Sequence, residues 1–269
     1  MISKPGRLGR RWQGRQAGGA QDSANQHGQA PRAQDPANAN ASNIDERAES
    51  GFARREPSPP RRTVVVDFDG TVTEQDLLDT IAGRFGDALV YQEVEDGLHG
   101  GTMPLREVIT REFEPVKKPL EEIVAWELEN VNIRPGFKEL VELAKERGWR
   151  FVIVSSGFHE LIEPILEHEG VDVELHANRV DPRPDGWRVI WQYDETCEWC
   201  GESCKRSIVQ QFAGEDELVY VGDGFSDRCA AEASDRVFAT KGLASYLDER
   251  GIPYDRFDDF HDVARSLVS

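Results

Sequence analysis

The 269-residue sequence predicts an α/β fold, a parallel sheet flanked by helices and interrupted by a helical segment after its first strand. Two observations carry that reading. Short, continuous β-branched or apolar runs recur between residues 63 and 239, as strands buried on both faces require. Segments with apolar residues at helix spacing lie between them, and such alternation closes into parallel sheets through right-handed crossovers.

Residues 1–62 are rich in Gly, Gln, Ala, Asn and Arg and lack apolar periodicity. They are expected to form a disordered tail, because they bury too little surface to offset their chain entropy. Pro57-Ser58-Pro59-Pro60 marks its end, and Thr63-Val64-Val65-Val66 is the first strand. Over 76–132 the pattern is helical, with Leu77, Leu78, Ile81 and Phe85 at helix spacing. Pro135 opens a further helix, Leu140, Leu143 and Ala144 line it, and Gly148 ends it. Phe151-Val152-Ile153-Val154 is a second buried strand, and Leu161, Ile162, Ile165 and Leu166 form the next helix face. Leu218-Val219-Tyr220-Val221 is a third strand, followed by a helix from about residue 226. Val237-Phe238-Ala239 is a short last strand, and a helix near 260–267 closes the chain. The core is thus read as 63–75 plus 133–269, with the helical segment over 76–132 and a small insert over 178–203.

The formal net charge of −18 is unevenly spread: residues 1–62 carry +5 and the remainder −23. So acidic a body repels a phosphate backbone, so nucleic acid is not an expected partner. No apolar run approaches the ~20 residues of a membrane span, and the N-terminus lacks the apolar stretch of a secretory signal. A cytoplasmic protein with no membrane partner is expected.

In parallel sheets, ligands sit beyond the carboxyl ends of the strands. The sequence concentrates its chemistry there. The first strand ends in Asp67-Phe68-Asp69-Gly70-Thr71, placing two carboxylates at i and i+2 before a glycine turn. Buried like charges need a proton or a cation, and a hard cation such as Mg²⁺ takes carboxylate and carbonyl oxygens. Alone, the motif is equally well an Asp-Gly turn with solvated acids. The second strand ends in Ser155-Ser156-Gly157, either an N-cap or a hydroxyl that holds a phosphate oxygen at a helix start. Lys205 opens a helix against its macrodipole and needs a compensating anion. The third strand ends in Gly222-Asp223-Gly224-Phe225-Ser226-Asp227, where one acid reaches a metal and the other orients it. In chain order, these supply a carboxylate nucleophile, a second acid, a cation site and positive groups around phosphate. Phosphoryl transfer through an aspartyl-phosphate needs that set.

The constellation resembles the haloacid dehalogenase superfamily, and its phosphatase branch in particular. Asp67 to Thr71, Ser155, Lys205 and Gly222-Asp223-Gly224-x-x-Asp227 are similar to the four motifs of that family. The helical stretch over 76–132, with Ser155-Ser156-Gly157-Phe158 and Ala177-Asn178-Arg179-Val180, resembles subfamily IB, which contains phosphoserine phosphatase. Cys200-Gly201-x-x-Cys204-Lys205 and Phe260-His261-Asp262-Val263 resemble the methionine-salvage phosphatase of the same subgroup. The resemblance implies a Rossmann-like core with a helical cap and Mg²⁺-dependent hydrolysis of a small phosphomonoester. It implies Asp67 as nucleophile and Asp69 as acid and base. Ser155, Ser156, Lys205 and backbone near Gly70 would hold the phosphoryl oxygens. Mg²⁺ would lie at Asp67, the Asp69 carbonyl and Asp223, with Asp227 in support. Asp76 and Arg111 fall where phosphoserine phosphatase carries substrate contacts, although Asp stands at 76 in place of Glu. A homodimer is compatible with this set. The alternatives on the same motifs are a phosphotransferase or mutase, or a binding module that has lost turnover. Cys197, Cys200 and Cys204 are expected to be free or partly buried thiols, with structural zinc the lesser alternative for a cluster of three. Cys229 is expected to pack in the core.

Overall fold

The computed structural model describes residues 61–192, 196–202, 204–214 and 216–269, so the expected tail lies, but for Arg61 and Arg62, outside the described residues. Seven strands form one sheet: β1 (Arg62–Val66), β2 (Arg150–Phe158), β3 (Glu174–Arg183), β4 (Gly186–Ile190), β5 (Glu217–Gly222), β6 (Arg236–Ala239) and β7 (Asp255–Arg256). Their spatial order is β4-β3-β2-β1-β5-β6-β7. All neighbours are parallel except the antiparallel β3–β4 hairpin. The valine run of β1 sits centrally, with Val66 opposite Ile153 on one side and Val221 on the other. Successive side chains alternate faces. Val64 and Val66 join the larger apolar core with Phe137, Phe151 and Phe260, while Val65 joins a second core with Val152, Tyr220 and Leu243.

Four helices lie between β1 and the next core helix: α1 (Leu77–Phe85), α2 (Ala88–His99), α3 (Leu105–Phe113) and α4 (Leu120–Asn130). Asp76 and Asp87 cap the first two by accepting from the backbone N–H groups of Asp79 and of Leu89 and Val90. Pro104 and Pro119 precede the other two. This helical cap joins the core through a narrow neck, where Thr73 bridges Ile133 and Arg134 N donates to the Val72 carbonyl at 2.8 Å. The core helices are α5 (Phe137–Arg147), α6 (His159–Glu169), α7 (Arg206–Val209), α8 (Arg228–Ala231), α9 (Lys241–Arg250) and α10 (Phe260–Val268).

Residues 178–183, read from the sequence as the start of an insert, continue β3, and β4 folds back on them. The hairpin is anchored under the cap. Trp187 stacks on Phe113 with ring centroids 6.0 Å apart and donates from Nε1 to the Lys118 carbonyl at 3.0 Å.

Candidate active site

The turn after β1 carries Asp67 and Asp69 to the carboxyl end of the sheet, where β2, β5 and α7 deliver Ser155, Asp223, Asp227 and Lys205. All six side chains are buried. Lys205 Nζ bridges the two acids, donating to Asp67 Oδ1 and, at 2.7 Å, to Asp227 Oδ1. These anions outweigh the desolvation cost and raise the lysine above its ordinary range, so it stays charged.

The acids divide their roles by environment. Asp227 accepts four hydrogen bonds, from Lys205, the Tyr220 hydroxyl and the N–H groups of Asp223 and Gly224. Burial works against its charge, but Lys205 and the Gly224 N–H hold it below the usual carboxylate range. With its acceptor sites taken, Asp227 braces Asp223 and Lys205 and is not free to ligate directly. Asp67 is pushed well up by burial and then by the Asp227 charge, against the pull of Lys205. Asp69 is raised to about 7 by burial, then by Asp76, while the Ser155 hydroxyl donates to its Oδ2 at 2.7 Å. A carboxyl poised there exchanges its proton near neutral pH. Ser155 also accepts from Gly157 N–H at 2.7 Å, which fixes the hydroxyl's direction.

Carboxylate oxygens of Asp67, Asp223 and Asp227 lie within 4.8 Å of one another. Burial and mutual repulsion leave Asp67 and Asp223 raised even beside lysines, so the acid cluster is under-neutralised. Its donors are all hard oxygens. That set fits a hard cation such as Mg²⁺.

Sequence reasoning missed three parts of the site. Lys241 Nζ donates to the Gly70 carbonyl at 2.8 Å and to Asp223 Oδ2 at 2.9 Å. The guanidinium of Arg134 donates to the Thr71 and Gly70 carbonyls, both at 2.8 Å, and ties the nucleophile turn to the neck. Lys241 follows the last residues of β6, so the strand-end rule that found the other groups also points to it. The third is Glu112, on the cap. Gly70 itself has φ +78, and a Cβ there would lie 2.4 Å from Asp223 Oδ2. The turn therefore requires glycine.

Between site and cap lies a cavity of about 220 Å³. The core contributes Asp67, Asp69, Ser156 and Asp223. The cap contributes a mixed wall: Leu78, Leu98, Leu105, Val108 and Ile109, with Asp76, Asp79, Glu95, Glu112 and His99. Glu112 is buried, and one of its carboxyl oxygens has no partner. Burial, then the charges of Glu95 and Asp79, raise it to about 8. Asp76 stands on this wall. Arg111 does not: it is outside the cavity lining and pairs with Glu93 at 3.0 Å.

The haloacid dehalogenase-like hydrolase family model matches residues 64–232. The chain belongs to that family. This hydrolase groups within it with phosphomonoester phosphatases. It is 30% identical over 210 residues to a 2-hydroxy-3-keto-5-methylthiopentenyl-1-phosphate phosphatase of Exiguobacterium sibiricum, covering 76% of this chain and 95% of that one. It is 31% identical to the bifunctional enzyme MtnB/MtnX of Bacillus licheniformis, where the match covers 76% of this chain but spans only 48% of that protein. Among solved structures, a phospho-aspartyl intermediate analogue of phosphoserine phosphatase shares the fold, with a TM-score of 0.60 at 21% identity over 77% of this hydrolase and 99% of that chain. No helix among the described residues is long and apolar enough to cross a membrane.

Proposed function

We propose that this hydrolase removes the phosphoryl group from a small phosphomonoester whose organic part is neutral and partly apolar. The substrate named for its curated relatives, 2-hydroxy-3-keto-5-methylthiopentenyl-1-phosphate, is of that kind. One observation carries the choice: the cap wall is aliphatic and acidic, and no lysine or arginine stands among the residues lining the cavity. A substrate carboxylate, as in phosphoserine, would meet four acids there, and the wall's one imidazole, His99, is largely exposed and lies beside Glu95 at 3.7 Å. A thioether and a keto group suit the same wall. Leu98, Val108 and Ile109 receive the apolar end, and Glu112, protonated below about pH 8, donates a hydrogen bond to a carbonyl.

The residues divide the reaction between them. Asp67 attacks phosphorus in line, its oxygen bonding to phosphorus as the bond to the leaving oxygen breaks, while Asp69 gives its proton to that oxygen. Asp69 then takes a proton from water as the water oxygen attacks the aspartyl-phosphate, releasing phosphate and freeing Asp67. Lys205 stays charged beside the nucleophile, and Ser155 fixes the Asp69 carboxyl. Mg²⁺, when bound, supplies the positive charge that lets an anionic nucleophile meet an anionic phosphate.

The test is a paired comparison of kcat/KM, with Mg²⁺, on this keto phosphate and on phosphoserine. The expected ratio is at least ~10² in favour of the keto phosphate, the scale on which a mismatched charge is rejected. Equal or faster hydrolysis of phosphoserine would overturn the assignment.

A further inference from the structure

Cys197, Cys200 and Cys204 are free thiols and Cys229 is buried, as expected, but the four are not separate. Cys197, Cys200 and Cys204 are joined by Cys229, which lies 32 residues beyond Cys197 and arrives on α8. The four sulfurs all lie within 4.8 Å of one another, and none is in a disulfide. The Sγ atoms of Cys197 and Cys229 are 3.6 Å apart. A tetrahedral Zn²⁺ with ~2.3 Å bonds to sulfur sets its ligands about 3.8 Å apart. The cluster already has nearly that spacing.

The backbone around it is shaped for an anion of sulfur. Residues 197–201 form a tight turn: Gly201 N donates to the Cys197 carbonyl at 2.9 Å, and Gly201 takes φ +74. That folds the N–H groups of Trp199 and Cys200 onto the Cys197 sulfur. Donors aimed at a first cysteine from the next residues of a Cys-x-x-Cys turn stabilise a thiolate. The Arg206 guanidinium donates to the Cys229 carbonyl at 3.3 Å and lies 4.0 Å from its sulfur, a cation beside a site of net negative charge. Trp199 in turn stacks under that guanidinium at 3.9 Å.

We infer that Cys197, Cys200, Cys204 and Cys229 hold one structural Zn²⁺, separate from the oxygen-lined site. Four thiols give up their protons to the solvent as four sulfurs bond to the ion, leaving a site of charge −2 with every position filled by protein. A closed set of soft ligands suits structure and leaves no place for substrate. The site's place in the chain gives it purpose. Cys204 precedes Lys205 directly, and Cys229 follows Asp227 by two residues. One ion therefore fastens together the two segments whose lysine and carboxylate form the buried pair of the active site.

The experiment uses the full chain, expressed with zinc, purified without chelator and analysed for metal. One zinc per chain is expected. After exchange, Co²⁺ should show a thiolate-to-metal charge-transfer band in the near ultraviolet with strong tetrahedral bands in the red. Cys200→Ser and Cys229→Ala should each lose the band and most of the zinc, while Asp223→Asn should keep both. Cys200 is exposed, so its serine variant costs little packing, and circular dichroism checks that it keeps the native fold. A strong zinc chelator should lower the melting temperature of the wild type and leave that of Cys200→Ser unchanged. Zinc at background with no cobalt–thiolate band would overturn the inference, whether the thiols then titrate as free or as disulfides. So would a Cys200→Ser chain that keeps its zinc, or an Asp223→Asn chain that loses it.

Discussion

Glu127 on α4 is fully buried, and both of its carboxyl oxygens lack a partner. Burial, and then the Asp69 charge, raise it from the ordinary 4.5 to about 9. At neutral pH the folded chain must hold a proton there that the unfolded chain has released. Each pH unit of that difference is worth ~1.4 kcal/mol, so the burden near pH 7 is about 3 kcal/mol. The unmatched polar oxygens add ~1–3 kcal/mol. Methionine has a similar length and no such group, at a packing cost under ~1.5 kcal/mol. Glu127→Met should therefore raise stability by about 3 kcal/mol near neutral pH. The sign with pH follows from the raised value. The carboxyl's contribution is intact below the unfolded-state value of 4.5 and is lost as pH rises toward about 9. The gain from Glu127→Met should thus be ~4 kcal/mol larger near pH 8.5 than near pH 5.5. Urea midpoints followed by tryptophan fluorescence at both values would measure it. An equal gain at the two pH values, or a loss at the higher one, would refute the buried, unpartnered carboxyl.

Asp67→Asn should lower kcat by at least ~10³ while circular dichroism stays unchanged, and turnover within tenfold of wild type would remove Asp67 as nucleophile. Gly70→Ala forces a Cβ to 2.4 Å from Asp223 Oδ2 at φ +78, so kcat/KM should fall at least ~10²-fold through displacement of Asp223. Arg111→Ala breaks a surface pair with Glu93 and a weak contact with the Met103 sulfur, so kcat/KM should stay within ~2-fold and stability within ~1 kcal/mol; a large rise in KM would return Arg111 to the substrate.

Much of this molecule is legible in one dimension because its signals are local. Val64, Val65 and Val66 announce a strand buried on both faces, and Asp67, Ser155, Lys205 and Asp223 sit at strand ends or helix starts that any parallel sheet brings to one side. The missed strands were those whose reason lies elsewhere. β3 mixes exposed, half-buried and buried residues without strict alternation, β4 exists as its hairpin partner and carries the buried Trp187, and β7 is two residues long at the sheet edge. Pairing partners hold such segments, and periodicity does not record them.

The sequence by itself therefore determined the order of elements and the chemical types gathered at the carboxyl edge, since both follow from backbone period and strand polarity. Only the tertiary structure decided which acid is braced and which is poised, because Asp227 is saturated by two amides of its own turn together with the Tyr220 hydroxyl and Lys205, which the packing of α7 brings in. It likewise turned Arg111 outward, brought Lys241 in, and seated Cys229 beside three cysteines distant in the chain. Lys241 and Cys229 reach their places through contacts between residues far apart in sequence, and the electrostatics of a buried group is set by all its neighbours at once.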